Sequence, residues 1–351
     1  MGPFSNRCPR TVIDVARELP FGGRLGDDVL FRPRAKAPPS AGQPWARQKI
    51  RAGVIANARS HRNRKNGLHF DSNANLFYAA PQSLEALDRV LAEYAAEGIN
   101  LLIVDGGDGT IRDVVTAASD VFPELPNMAV IPSGKTNAVA LDLGIPKNWS
   151  VQAAVAAAHE HRFAARAPIE ISRPGTNDPV IRGFLFGAGG FVRATELAQR
   201  THRMGAFDGV AVAWSLAWSI TQTLFGGANN VWRKGEYMHF RTCNGRDVQG
   251  SFYLLFMSTL ERLPLGLKPF GRPRPGLKAL AVQAPPARPL LAFGPILMGM
   301  ESEWLADAGY HRADPDPFDM TLEGEFVLDG EHFPGGELSI RAGKPLYFAV
   351  P

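Results

Sequence analysis

The 351-residue chain is 45% hydrophobic, 9% aromatic and 21% charged, a composition typical of soluble globular proteins. Its length predicts one large domain or two domains, with room for a substantial core. Two cysteines, Cys8 and Cys243, exclude a disulfide framework and a cysteine metal site, and they favour a reducing, cytoplasmic compartment.

Charge is distributed unevenly along the chain. Residues 1–65 carry a net charge of +10 and the remainder carries −6, although the whole chain carries +4. A basic N-terminal region favours anionic partners such as nucleotide phosphates or an anionic membrane surface, with solvated surface charge as the alternative for any single residue. We expect no nucleic-acid partner, because aromatic and basic residues do not alternate and no nucleic-acid-binding motif occurs.

The first part of the chain predicts a leader, a strand and a helix. Residues 1–48 are rich in Pro, Gly and Arg, lack the apolar run of a signal peptide, and should form an extended or partly ordered leader. A strand is expected at Gly53–Ala56, and the basic residues His61–Asn66 suit a loop that faces phosphate. A helix should begin after an N-cap at Ser83 and end near Ala96. Its inner face should contain Leu84, Leu87, Leu91 and Tyr94.

The stretch Ile99–Ala118 is the most informative one. Leu101–Val104 reads as a strand buried on both faces, and three glycines follow at Gly106, Gly107 and Gly109. Thr110 and Asp113 resemble a capping box at the start of a helix that should bury one apolar face. That face contains Ile111, Val114, Val115 and Ala118.

A strand, a glycine turn and a helix start together form the geometry that binds anions. A carboxylate at Asp108, among amides that bind phosphate, is useful mainly if it holds a divalent cation. The alternative is a tight turn with a structural aspartate, because an isolated glycine loop is a weak signal.

The next units repeat the alternation of strand and helix. Met128–Ile131 is the expected strand, and it leads through Ser133-Gly134-Lys135-Thr136-Asn137 to a short helix at Ala138–Leu143. Another helix is expected at Val151–His161. Alternating strands and helices predict a mostly parallel sheet, with the ligand loops at the carboxyl ends of its strands.

From Pro168 onward the pattern changes to short strands between Gly/Pro turns, which predicts an antiparallel β domain. The candidate strands are Ile169–Ser172, Val180–Phe186, Tyr237–Arg241, Ser251–Met257, Ala279–Gln283, a strand around Val327 and Leu346–Val350. Val210–Phe225 predicts a packed amphipathic helix rather than a membrane span. Leu290–Met300 is too short to span a bilayer and predicts a core segment, with insertion into a membrane interface as the alternative.

Four sequence blocks, in this order, resemble the diacylglycerol kinase catalytic family, which includes bacterial lipid kinases, sphingosine kinases and ceramide kinases. They are Asn57 with Ser60, the Gly-Gly-Asp-Gly-Thr run at 106–110, Gly134 to Asn137 before Leu-Gly-Ile-Pro at 143–146, and Asp329-Gly330-Glu331. The resemblance covers roughly residues 50–351 and is strongest over 99–146. It implies an α/β nucleotide domain, a β-rich and sandwich-like second domain, and a cleft between them.

The resemblance also implies how the domains divide and what the site residues do. It predicts a nucleotide domain at 49–165, a lipid-acceptor domain at 166–325 and a segment at 326–351 that returns to the cleft. Nucleotide contacts are expected from Asn57, Ser60, Gly106, Gly107, Gly109, Thr110, Gly134, Lys135, Thr136 and Asn137. With ATP and Mg²⁺ as cofactors, Asp108 is the predicted metal ligand, Glu331 the predicted base for the lipid hydroxyl, and Asp329 its orienting partner, or the reverse.

Departures from the family pattern concern substrate choice more than nucleotide use. Lys135 replaces the usual Thr and could contact phosphate or be solvated, and Ala138 replaces an acid. Pro275-Gly276 replaces the usual Asp-Gly, which argues against an accessory metal site in the second domain. Asp314, Asp316 and Asp319 are spaced like a calcium loop, but intervening prolines favour an acidic surface turn.

The sequence therefore predicts a peripheral membrane enzyme that phosphorylates a lipid hydroxyl, with diacylglycerol as the default acceptor and ceramide or a sphingoid base as the rival. A soluble-substrate kinase similar to NAD kinases and phosphofructokinases is the enzyme alternative. A catalytically silent lipid-binding regulatory protein is the alternative from another class. Three acids at 108, 329 and 331 argue against loss of catalysis.

Overall fold

The structure, a computed structural model, describes residues 49–60, 75–203, 235–242 and 247–351, and the statements below concern these ranges. The predicted leader, the basic loop His61–Asn66 and the predicted helix Val210–Phe225 lie outside the described residues. In the described part of the chain, no helix combines the length and the apolar character needed to cross a bilayer.

A mostly parallel sheet forms the first half of the fold. Its strands are β1 (Ala52–Ala56), β2 (Leu76–Ala79), β3 (Leu101–Gly106), β4 (Asn127–Pro132), β5 (Phe163–Arg166) and β15 (Leu346–Ala349). They lie in the order β2-β1-β3-β4-β15-β5, and only β5 runs antiparallel to its neighbour. The last strand of the chain thus lies beside β4 in the first sheet. The predicted strands at 53–56, 101–104, 128–131 and 346–350 are confirmed.

The second sheet is antiparallel, as predicted. Its strands are β6 (Ile169–Ser172), β7 (Ile181–Gly183), β8 (Leu185–Gly189), β9 (Glu236–Thr242), β10 (Asp247–Ser258), β11 (Lys278–Gln283), β12 (Tyr310–Ala313), β13 (Phe318–Leu328) and β14 (Glu331–Ala342). Each of the long strands β10 and β13 pairs with β9 at its beginning and with β8 at its end. The sheet therefore folds over on itself and encloses a second core.

The helices are α1 (Leu84–Ala96), α2 (Asp108–Val121), α3 (Ala138–Asp142), α4 (Val151–His159), α5 (Gly190–Arg203), α6 (Pro289–Leu297) and α7 (Glu303–Asp307). Ser83 caps α1 as predicted, because its hydroxyl accepts the amide of Ala86 at 3.2 Å. Leu87, Leu91 and Tyr94 are buried, but the prediction for Leu84 was wrong: it is 61% exposed in the first helical residue, before the helix reaches the sheet.

Three other predictions differ from the structure. Helix α4 ends at His159 rather than His161, since His161 has a positive φ of 55°. The expected strand Val180–Phe186 is two strands separated by Phe184, whose amide donates to the Asp329 carboxylate instead of the sheet. The segment at 290–300 is not the predicted core segment, because only Ala292 and Ile296 of α6 are buried in it.

Contacts across the boundary between the sheets fix the two halves together. Thr116 in α2 exchanges hydrogen bonds with the backbone of Arg182 in β7, at 3.0 and 3.3 Å. The buried Asp142 carboxylate at the end of α3 accepts the amides of Glu261 and Arg262. These bonds hold the carboxyl ends of the parallel strands opposite the turn between β13 and β14.

Candidate active site

Three loops meet at the carboxyl ends of parallel strands. The amide of Asn57, after β1, donates to the Asp105 carbonyl at 2.9 Å, and the amide of Ser133, after β4, donates to the Gly106 carbonyl at 3.2 Å. Because β1 and β4 flank β3, the loop after β3 lies between the other two. Three of the predicted sequence blocks therefore form one surface.

The capping box predicted at Thr110 and Asp113 was wrong. Helix α2 begins two residues earlier, at Asp108, with Gly107 as an N-cap that has no side chain to offer. Thr110 lies inside the first turn, where its hydroxyl accepts a hydrogen bond of 2.9 Å from the side-chain Nδ2 of Asn57. A helix start without a side-chain cap leaves its first-turn amides available to an anion.

Glycine is required where the two phosphate-facing loops approach each other. A Cβ atom on Gly134 would lie 2.5 Å from the Cα of Gly107, closer than carbon atoms can approach. Asn137 holds this loop, because its side chain accepts the Gly134 amide at 2.9 Å and donates to the Gly134 carbonyl at 2.8 Å. Asn137 thus acts on loop shape, whereas Lys135 and Thr136 are exposed beyond it.

The Asp108 carboxylate points toward the start of α3. Its two oxygens accept the amides of Ala138 and Val139 at 3.0 and 3.1 Å. Burial raises the pKa of this carboxyl, and the amide hydrogen bonds oppose the shift. The predicted cation ligand therefore also serves as the cap of α3.

A cavity of about 410 Å³ opens in front of these loops. It is lined by Asn57, Arg59, Ser60, Gly107, Gly109, Thr110, Arg112, Asp113, Gly134, Lys135 and Glu331. The hydroxyl of Ser60 is buried and has no hydrogen-bond partner among the described residues. An unpaired buried hydroxyl is costly unless a ligand satisfies it. Together with the glycine cradle, it fits a bound phosphate.

The turn between β13 and β14 brings two acids to the site in different environments. Asp329 and Gly330 have φ values of 48° and 87°, the left-handed pair of a tight hairpin turn. The Asp329 carboxylate accepts the amides of Phe184 and Leu185 at 3.0 and 2.9 Å. Glu331 is exposed and lines the cavity.

Burial raises the pKa of Asp329 to about 8, and the nearby negative charge of Asp108 adds to the shift. The hydrogen bonds from Leu185 and Phe184 and the positive charge of Arg112 oppose it. Of the two acids, Glu331 is the one that lines the cavity, whereas Asp329 braces the turn against β8.

Sequence reasoning missed Arg112. This buried side chain donates from Nη1 to the Leu328 carbonyl at 3.1 Å and from Nη2 to the Asp113 carboxylate at 2.6 Å. Its guanidinium also lies 5.5 Å from the centre of the Phe333 ring. The only available signal was a cation two residues after the glycine loop, which by itself predicts a solvated charge.

A smaller cavity of about 240 Å³ adjoins the first and shares Asn57, Arg59, Thr110 and Asp113 with it. Its other walls are residues of β1, the loop before α1, α1 itself and α2: Ile55, Ala56, Pro81, Gln82, Ser83, Leu84, Leu87 and Val114. The sequence did not indicate this cavity, because its walls come from separate apolar and loop segments.

Away from these cavities, one group in the described chain could hold a cation. Ligand atoms of Glu196, Glu325 and His332 lie within 4.8 Å of one another. His332 already pairs with Glu325 at 3.1 Å. His332 alternates with Glu331 along β14, so this group and the cavity lie on opposite faces of the strand. Of the predicted surface acids, Asp314 pairs with Arg274 and Asp316 accepts the amide of Ala342.

Comparison with known proteins agrees with this geometry. Residues 51–166 match the family model of the diacylglycerol kinase catalytic domain. The family resemblance read from the glycine loops is thereby confirmed over this range, which contains the blocks at 57–60, 106–110 and 134–137. A comparison with curated proteins finds no match.

Solved structures show the same two-domain fold. A crystal structure of a putative diacylglycerol kinase from Bacillus anthracis strain Sterne covers 87% of this chain and 98% of its own, with 16% identity and a TM-score of 0.62. A diacylglycerol kinase structure from the same strain has the same coverage, 14% identity and a TM-score of 0.56. At these identities the likeness establishes the fold, and it confirms the α/β architecture with a β-rich second domain.

Proposed function

We propose that the protein is an ATP-dependent lipid kinase that transfers the γ-phosphate of ATP to the hydroxyl of a membrane lipid. One observation carries this proposal: Glu331 lines the same cavity as the glycine loops and Ser60, whose buried hydroxyl has no partner in the described part of the chain. A carboxylate beside a phosphate cradle is what transfer to an alcohol requires. The diacylglycerol kinase catalytic domain at 51–166 supports the same assignment.

The phosphates of the nucleotide would occupy the larger cavity. Gly107 and Gly134 let the backbone approach them closely, the first turn of α2 directs its dipole at them, and Ser60 donates its buried hydroxyl. The adjoining cavity beside Pro81 and Gln82 has the mixed apolar and polar walls that suit a nucleoside.

ATP bound with Mg²⁺ would supply the phosphoryl group and neutralise its developing charge. The residues of the chain then perform the remaining tasks. Glu331 accepts the proton of the lipid hydroxyl, Arg112 holds the turn that carries Glu331, and Asp108 holds the start of α3 and would contribute its carboxylate to the cation. Asp329 supports this turn from beneath.

The acceptor is a diacylglycerol-type or a ceramide- or sphingoid-type lipid, and the enzyme works peripherally at an anionic membrane surface from the cytoplasm. The basic balance of residues 1–65 supports this location. The family model matches the nucleotide half and not the acceptor half, so the assay below includes all three lipids.

Incubation of the full chain with γ-labelled ATP, Mg²⁺ and a panel of acceptors tests the proposal. The panel contains vesicles with diacylglycerol, ceramide or sphingosine, together with NAD and fructose 6-phosphate. Labelled lipid from at least one vesicle type is the expected result. Label in NAD or the sugar would assign a soluble-substrate kinase, and ATP binding without any transfer would assign a silent lipid-binding protein.

A further inference from the structure

An apolar surface on the second half of the fold is not covered by any other described residue. Nine large hydrophobic side chains of the described chain are exposed, and six of them lie between residues 265 and 304. We call these six the apolar face: Leu265, Leu290, Leu291, Met298, Met300 and Trp304. Leu265, Leu290 and Met298 are each more than 70% exposed, and grouped exposure of this kind marks an interaction surface more often than singly scattered apolar residues do.

Hydrogen bonds join the segments of the apolar face into one surface. The amide of Lys268 donates to the Leu297 carbonyl at 2.7 Å, which places the loop containing Leu265 against the end of α6. The Arg312 guanidinium donates to the carbonyls of Pro269, Ile296 and Met300 at 2.6 to 2.9 Å. A single side chain therefore holds the loop, the helix and the segment before α7 together.

The floor of the apolar face is packed and fixed. Ala292 and Ile296 of α6 are buried, and the Phe293 ring meets the Tyr310 ring edge to face at 6.5 Å. The Tyr310 hydroxyl donates to the Ala287 carbonyl just before the helix, at 2.7 Å. The exposed leucines and methionines are thus held outward by a rigid base, not left exposed by a loosely packed segment.

We propose that the apolar face is the surface by which the protein docks on a lipid bilayer, and this inference rests on the lipid kinase function proposed above. Residues 289–300 contain no charged side chain, and Trp304 at their edge is a residue type enriched at membrane interfaces. The exposed cations Lys268, Arg272 and Arg288 border the same surface and suit anionic headgroups. The exposed acids Glu303 and Asp307 lie in α7 at the edge of the apolar face, and Glu301 lies near the Arg312 guanidinium, which offsets its charge.

The apolar face is mechanically connected to the candidate active site. The loop that begins with Glu261 and Arg262 and continues to Leu265 is bonded through both amides to Asp142. Asp142 ends the helix that Asp108 caps. Docking of this face would therefore hold the phosphate loops in a fixed relation to the bilayer that contains the acceptor lipid.

Vesicle binding tests the surface independently of catalysis. The variant Leu290→Ser/Leu291→Ser is compared with wild type by sedimentation with vesicles of equal parts phosphatidylglycerol and phosphatidylcholine. Loss of two inserted leucines should weaken partitioning by ~10-fold or more. Tyr237→Ser is the matched control, because Tyr237 is 45% exposed on β9, outside the apolar face, and this variant should bind as wild type does.

A fluorescent label reports insertion directly. Cys8 and Cys243 are first replaced by serine, and a polarity-sensitive fluorophore is attached through Met298→Cys or, as a control, through Tyr237→Cys. Nitroxide carried on the lipid chains should quench the label at 298 and leave that at 237 unaffected. The proposal would be overturned if Leu290→Ser/Leu291→Ser bound vesicles as wild type does, or if the label at 298 stayed unquenched on bound protein.

Two further results separate the possible occupants and the two proposals. Without vesicles, the label at 298 could become shielded from water as the protein concentration rises. If sedimentation equilibrium then showed a dimer, the apolar face would be assigned to a second copy of the chain and the proposal would be overturned. Quenching at 298 without phosphorylation of any lipid would support docking while the kinase function fails. Conversely, Leu290→Ser/Leu291→Ser is compared on two substrates. Unchanged turnover of a short-chain, water-soluble diacylglycerol with reduced turnover of vesicle lipid would support both the docking surface and the kinase function.

Discussion

The Nη1 atom of Arg112 donates a hydrogen bond of 3.1 Å to the main-chain oxygen of Leu328, the last residue before the turn that carries Glu331. Arg112 lies in the helix that begins at the phosphate loop, so this bond connects the phosphate cradle to the proposed base. The alignment of the two halves of the site therefore depends on a residue outside every motif of the sequence.

Replacement of Arg112 should impair turnover more than nucleotide binding. Arg112→Lys keeps the charge but loses the forked contacts with Leu328 and Asp113. A small displacement of Glu331 should lower kcat by roughly 10- to 100-fold with little change in the KM for ATP. Arg341→Lys is the control, since Arg341 is 63% exposed and its partner Glu170 keeps a second ion pair with Arg182. An equal loss in both variants would contradict a positioning role.

The approach of Gly134 to Gly107 predicts a selective loss of nucleotide binding. Gly134→Ala introduces a Cβ that would lie 2.5 Å from the Gly107 Cα, so the two loops must separate. We expect ATP affinity, measured by calorimetry, to fall by at least ~10-fold. Gly250→Ala is the matched control, because its Cβ would meet only one ring atom at an ordinary 3.9 Å. Unchanged ATP affinity in folded Gly134→Ala would show that the phosphate does not bind between these two loops.

Two buried serines should separate binding from stability. Ser60→Ala removes a hydroxyl without a described partner, and should raise the KM for ATP by ~10-fold with little effect on the free energy of unfolding. Ser258→Ala removes a hydroxyl that bonds the Phe184 carbonyl and the Leu260 amide. It should cost about 1–3 kcal/mol of stability without a comparable effect on KM. A stability loss in Ser60→Ala equal to that in Ser258→Ala would show that Ser60 is structural.

The alternation of strands and helices and the glycine loops were predictable, because both are local patterns in the chain. Periodicity correctly predicted the buried strand Leu101–Val104 and the buried side of α2. The start of α2 was not predictable in the same way. Thr110 looked like a cap in isolation, but the hydrogen bond from Asn57, which is 53 residues away, holds it within the first turn.

Long-range contacts also explain what the sequence could not show about the site. The motif places Asp329 and Glu331 two residues apart, yet the left-handed turn and the amides of Phe184 and Leu185 direct Asp329 into the interior. Segment 290–300 looked like core from hydrophobicity alone, because composition does not reveal that only one side of α6 meets the fold.

The raised pKa of Asp329 predicts a pH-dependent stability. An unfolded aspartate titrates at about 4, whereas burial and the Asp108 charge raise the pKa of folded Asp329 to about 8. Between these values the folded state keeps a proton that the unfolded chain releases, so the free energy of unfolding falls as pH rises. The side chain of Asp329→Asn cannot titrate. The free energy of unfolding of this variant, measured by denaturation at a series of pH values, should therefore fall less steeply over this window than that of wild type. Identical slopes would mean that Asp329 is ionised throughout.

The most direct test of the account is the turnover of Glu331→Gln. The variant keeps the size and polarity of the side chain but cannot accept the hydroxyl proton, so kcat for the best lipid acceptor should fall by ~10²- to 10⁴-fold. ATP and vesicle binding should be unchanged. Glu337→Gln, an exposed acid on the same strand, is the control and should retain wild-type turnover. If folded Glu331→Gln turns over lipid within roughly threefold of wild type, well short of the loss of a general base, Glu331 is not the base and the central claim is contradicted.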